Sequence, residues 1–102
     1  MADVIPIHRR EERVRFARSA SRHRISRDQI RHVIANHRVR FQEPPPEGGA
    51  QARSIRTVYL GDDAPEQALE VMAVEGRDGE LLVIHAMELR PKYRKRYEET
   101  ER

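Results

Sequence analysis

Leu81-Leu-Val-Ile-His-Ala-Met-Glu-Leu-Arg-Pro-Lys-Tyr-Arg-Lys-Arg-Tyr97 runs from an apolar segment through a histidine into a proline-started basic segment. The branched run Leu81 to Ile84 has the composition of a buried strand. Pro91 suits a first helical position, where its missing N–H leaves no bond unmade. The fold must therefore set a sheet against a helix at this end of the chain. Strict alternation groups Leu81, Val83, His85 and Met87 on one sheet face, with Leu82, Ile84 and Ala86 on the other. Positions 90, 93, 94 and 97 share one face of the helix.

Working outward, two more strand candidates precede this one, Arg53 to Leu60 and Ala68 to Val74, the third being Leu81 to Met87. Gly61-Asp-Asp-Ala-Pro65 and Gly76-Arg-Asp-Gly79 separate them with turn chemistry. Short connections between consecutive strands favour an antiparallel meander, with the helices on one face. Glu43-Pro-Pro-Pro-Glu-Gly-Gly49 reads as a loop, since proline lacks the donor a sheet or helix needs. Ser26-Arg-Asp-Gln29 is a capping box, stapled by Ile25 and Ile30, and Ile30, Val33, Ile34 and His37 follow at helical spacing, predicting a helix over Arg27 to Asn36. Val14-Arg15-Phe16 reads as a short edge strand and Ala17 to His23 as a short helical turn. Residues 1 to 12 are expected to be a flexible N-terminal arm, and residues 13 to 102 a single domain. The expected class is α+β: a small antiparallel sheet of three to four strands, two N-terminal helices and a C-terminal helix.

Composition limits the chemistry. At 102 residues and 37% hydrophobic content, one domain with a thin core is expected, with little room for a large internal cavity. There is no cysteine, which removes disulfides and thiolate metal sites. No apolar run is long enough for a membrane span or a secretory signal, so the cytoplasm is the expected compartment. Residues 1 to 41 carry a net +7, residues 42 to 80 a net −6 and residues 81 to 102 a net +2. Basic ends around an acidic middle suit a polyanion if folding brings the ends together. Eighteen of the twenty cations are arginine, which fits bidentate phosphate binding but also a GC-rich coding bias.

Three groups of residues are candidates for chemistry. His85 is either a general acid or base, a role worth roughly 10²- to 10⁴-fold in rate, or a histidine satisfied by a neighbouring backbone carbonyl. Arg90 and Arg94, one helical turn apart, suit a phosphate or a phosphorane, while Lys92, Lys95 and Tyr93 offer further contacts. The alternative makes Tyr93 and Tyr97 core anchors and the cations a solvated face. Arg22-His23-Arg24 suits RNA contact or is simply exposed. The five histidines lack metal-ligand spacing such as His-Glu-x-x-His, and there is no glycine-rich phosphate loop or Gly-x-Ser-x-Gly elbow, so neither a cofactor nor a metal is expected.

Val83-Ile-His-Ala86, the basic stretch Arg90 to Arg96 and the closing Tyr97-Glu98 resemble the end of BrnT-type toxins, small basic ribonucleases of bacterial type II toxin-antitoxin modules with a RelE-like fold. Arg22-His-Arg-Ile-Ser26 is similar to that family's Lys-His-Gly-Ile/Val-Ser segment. The family commonly has serine where His85 stands, a cation where Met87 stands and glycine where Arg24 stands. The resemblance implies a RelE/BrnT-like fold and metal-independent cleavage of mRNA, possible on the ribosome. Its implied residues are His85 or His23 for proton transfer, Arg24, Arg90 and Arg94 on phosphate, and Tyr93 orienting it, with Arg22, Lys92 and Lys95 contacting RNA. The implied partner is a cognate antitoxin covering the basic site. Other functions left open by the residues are a non-catalytic nucleic-acid or ribosome-binding module and a protein-interaction domain.

Overall fold

The computed structural model describes residues 13–44, 55–63, 67–76 and 79–99. Along the chain come β1 (Val14–Phe16), a 3-10 turn (Arg18–Ser21), α1 (Arg27–Ala35), β2 (Val39–Glu43), β3 (Arg56–Asp63), β4 (Gln67–Glu75), β5 (Leu81–Glu88) and α2 (Pro91–Glu99). The strands form one sheet in the order β1-β5-β4-β3-β2. β2 to β5 pair antiparallel, whereas β1 lies parallel to β5, with Val14 opposite Leu81 and Phe16 opposite Val83.

This architecture corrects the expected fold class. The sheet has five strands and is mixed, where an antiparallel sheet of three to four strands was expected, and only one N-terminal helix precedes the C-terminal one. The RelE/BrnT-like arrangement falls with that count. Three physical causes account for the difference. Val39-Arg-Phe-Gln-Glu43 alternates with period two and joins β3 before Pro44 ends it. β1 reaches β5 by way of the whole intervening chain and so runs parallel to it, a pairing no local turn signal announces. Finally, the serine-rich segment after β1 forms only a 3-10 turn, because its backbone and side chains bond outward to β5. Ala17 N–H donates to Val83 O at 2.8 Å, and Ser19 Oγ donates to Ile84 O at 2.7 Å.

The helices also lie on opposite faces, not on one. α1 has its capping box in place, with Ser26 Oγ accepting from Gln29 N–H at 3.1 Å and Ser26 N–H donating to Gln29 Oε1 at 2.8 Å. It buries Ile30 and Val33 against Val14, Tyr59, Leu69, Val71, Ala73, Val83 and Ala86. On the other face α2 buries Tyr93 and Tyr97 against Val39, Val58, Leu60, Met72 and Leu89. A single sheet thus serves two small cores, and this is how a chain with so few apolar residues closes. Among the described residues, no helix is long and apolar enough to cross a membrane.

One irregularity decides where the functional side chains point. Met72 pairs with His85, but the next residue, Ala73, pairs with Val83, so Ile84 is an extra residue in a β-bulge. Before the bulge Leu81 and Val83 face the α1 core; after it Ala86 faces that core, while His85 pairs with Met72 and Met87 with Glu70, facing α2. The expected grouping of His85 with Leu81 and Val83 is therefore corrected. The bulge moves the histidine out of the α1 face.

Candidate functional site

Glu70 sits in the middle of β4, between Leu69 and Val71, with none of its surface exposed. A carboxylate in that position survives only if its charge is matched. Four donors converge on it. His85 Nε2 lies 2.9 Å from Oε2, Arg90 N–H donates to Oε1 at 2.8 Å, Arg90 Nε donates to Oε2 at 2.7 Å, and Arg90 Nη2 lies 2.6 Å from Oε2. Burial pushes the Glu70 carboxyl up, but the bonds from His85 and Arg90 together with Arg90's charge outweigh it and hold the group below the usual carboxylate range. Glu70 bonds likewise raise Arg90 above its ordinary value, against its own desolvation.

Local structure brings these groups together. His85 follows the bulge, Arg90 directly precedes Pro91 at the start of α2, and Leu89 N–H donates to Ala68 O at 3.0 Å, locking the β5–α2 corner onto β4. From the opposite side His23 approaches on the chain that leaves the 3-10 turn. Its ring lies edge-on to that of His85, with centroids 5.7 Å apart and planes at 68°. Ser19 fixes this turn to the bulge itself through Ile84 O. His23 is exposed, and the His85 side chain keeps 22% of its surface accessible, so the pair is in contact with solvent.

The other residues named from sequence are placed as follows. Arg22 and Arg24 flank His23 on the surface. Arg24 has φ of 63°, the only non-glycine in the left-handed region among the described residues. Arg94, one turn beyond Arg90, faces Glu98 at 3.7 Å and lines a cleft of about 750 Å³ with Asp62, Gln67, Glu88 and Tyr97. The two arginines therefore do not meet on one anion. Tyr93 is buried and donates its hydroxyl to the Glu43 carboxylate at 2.9 and 3.0 Å. Burial, then the Glu43 bond and charge, push its pKa up. Tyr97 is buried as well and donates to Asp62, with the Arg38 guanidinium 4.3 Å above its ring. Lys92 Nζ lies 5.0 Å from the centroid of the Tyr93 ring, and Lys95 is exposed.

Sequence reading missed Glu70, the residue around which the site is built. Its signal was a lone acid inside the apolar run Ala68 to Val74, a pattern that demands a buried cation or donor opposite it. Chemically the cluster offers two imidazoles within reach of one substrate, a fixed guanidinium and an exposed basic flank at Arg22 and Arg24. Such a cluster can move protons and stabilise negative charge. Comparison with family models, curated proteins and solved structures finds no match.

Proposed function

We propose that this chain is a metal-independent endoribonuclease of the toxin type. The observation that carries the reading is the pair His23 and His85, with ring centroids 5.7 Å apart beside the guanidinium of Arg90. Cleavage of RNA by its own 2′-hydroxyl needs one group to remove that proton, another to protonate the departing 5′-oxygen, and a cation for the charge gathering on the phosphorane. Two histidines and an arginine are such a set. Arg22 and Arg24, exposed on either side of His23, suit the phosphates that flank the cleaved bond.

The toxin part of the proposal rests on the resemblance of Arg22 to Ser26, Val83 to Ala86, Arg90 to Arg96 and Tyr97-Glu98 to BrnT-type sequences. It carries with it a cognate antitoxin as partner and a cytoplasmic site of action. The test is cleavage of single-stranded RNA in the presence of a chelator, with growth arrest on expression as the cellular readout. His85→Ala and His23→Ala should each abolish cleavage while circular dichroism stays unchanged. Full cleavage by either folded variant removes that histidine from the mechanism.

A second reading, a non-catalytic RNA- or ribosome-binding module, is favoured by the basic surface alone. In that case binding weakens steeply with salt and no product forms at any pH.

A further inference from the structure

We propose that Glu70 is the positioning residue of this site: by holding His85 through Nε2 it makes Nδ1 the nitrogen that removes the 2′-hydroxyl proton, and it leaves His23 to protonate the leaving oxygen. The inference rests on the ribonuclease reading and assigns the two histidines distinct roles within it.

An ionised carboxylate can only accept hydrogen bonds. Glu70 is wholly buried, accepts two hydrogen bonds from Arg90 and pairs with the guanidinium charge at Nη2, so its ionised form is the one this site is built around. His85 Nε2 stands 2.9 Å from the same carboxylate. Nε2 must then carry a proton, which in the neutral ring leaves the lone pair on Nδ1. Among the described residues every buried side-chain nitrogen or oxygen has a partner, and the one hydrogen bond of the His85 ring is at Nε2. Nδ1 is therefore not enclosed, on a side chain that keeps 22% of its surface accessible.

The surroundings separate the two rings. His85 is faced by Glu70 from β4, by Arg90 from the start of α2 and by His23 from the turn before α1; Glu43 and Tyr93 lie beyond Arg90. Glu70 holds the His85 ring by Nε2 and so fixes which nitrogen is left for a substrate. His23 is exposed and, among the described residues, its ring contact is His85 rather than a carboxylate. His85 Nδ1 takes the 2′-hydroxyl proton as the 2′-oxygen bonds to phosphorus. The bond from phosphorus to the 5′-oxygen breaks, and that oxygen takes the proton of His23. The products are a 2′,3′-cyclic phosphate and a 5′-hydroxyl, with a proton shifted from His23 to His85 and the pair reset by water. Glu70 stays ionised throughout.

The test joins a spectroscopic readout to a kinetic one on the full chain. In ¹⁵N-labelled protein under conditions where the ring is neutral, the two-bond and three-bond nitrogen–proton correlations of His85 should report the Nε2–H tautomer. A predominant Nδ1–H tautomer overturns the proposal, with no variant required. Glu70→Gln leaves one acceptor oxygen for donors that need two; it should yield mixed tautomers and a kcat lowered on the order of 10²-fold or more, with KM changed much less. Glu70→Asp, which keeps the charge, should recover at least a tenfold part of that loss. A folded Glu70→Gln enzyme with kcat within threefold of wild type, or Glu70→Asp no better than Glu70→Gln, sinks the assignment. If wild type cleaves no RNA, the ribonuclease reading fails, and the tautomer of His85 still decides whether Glu70 sets its ring.

Discussion

Replacing Glu70 by glutamine should cost about 2–4 kcal/mol of folding stability, and the structure shows where that figure comes from. The carboxylate gathers four donors at 2.6 to 2.9 Å. A glutamine amide keeps one oxygen, which can serve two of them, and turns its NH₂ toward the others. Losing two hydrogen bonds to a charged acceptor amounts to about 3–6 kcal/mol. Arg90 is 36% exposed and regains part of this from water, which lowers the expected cost to the range given. For a domain of this size the total is about 5–15 kcal/mol, so the melting temperature should fall on the order of 10–20 °C.

The same substitution has a pH signature. The Glu70 carboxyl is held below its unfolded value, so its contribution is complete above the ordinary carboxylate range and disappears as pH falls through the lowered folded value. Urea denaturation of wild type and Glu70→Gln should therefore show a constant gap between pH 6 and 8 that narrows in acid. A gap under about 1 kcal/mol at neutral pH, or one that does not narrow as Glu70 is protonated, refutes the view of Glu70 as the ion organising the site.

Other positions give independent checks. Arg24 occupies a left-handed conformation that costs an L-residue about 1–2 kcal/mol; after the entropy glycine adds to the unfolded chain, Arg24→Gly should stabilise the fold by up to about 1 kcal/mol in urea titration while weakening RNA binding. Destabilisation instead would remove the strain argument. A Cβ on Gly61 would lie 3.2 Å from His37 Cα and 3.4 Å from Val33 Cγ1, so Gly61→Ala should lose about 1–3 kcal/mol as α1 and the approach to β2 are forced off β3. A neutral result in thermal melts would contradict that close approach. Tyr93→Phe should lose about 1–2 kcal/mol near neutrality by removing the bond to Glu43. Because the Tyr93 pKa is raised, its contribution is complete below its ordinary value and lost as pH rises through the folded one, so the gap to wild type should close in strong alkali.

Local signals made part of this fold legible. The capping box at Ser26 and Gln29, the apolar period of α1, Pro91 at the start of α2 and the three strands after residue 53 all rest on chemistry within a few residues, and the structure has elements in each place. Long-range pairing was not legible in the same way. β1 finds β5 across 67 residues, and the bulge at Ile84 arises only when β4 and β5 are matched, yet it alone decides which core His85 faces. β2 did carry a signal, the period-two pattern of Val39, Phe41 and Glu43, obscured by the prolines that follow. For the site, His23, His85 and Arg90 were singled out by residue type, whereas Glu70 was visible only as a charge where an apolar residue belonged. Tyr93 shows the limit of helical spacing as a guide, since the face it shares with Arg90 turns its hydroxyl toward Glu43. The expected arm at residues 1 to 12 and most of the loop from Glu43 to Gly49 lie outside the described residues.

The most direct test of the account is mass spectrometry of the products formed from a defined single-stranded RNA by the wild-type chain in the presence of a chelator. The account predicts fragments ending in a 2′,3′-cyclic phosphate paired with fragments beginning in a 5′-hydroxyl, and no cut at a position carrying a 2′-deoxyribose. Intact RNA, or fragments with a 5′-phosphate, would contradict it.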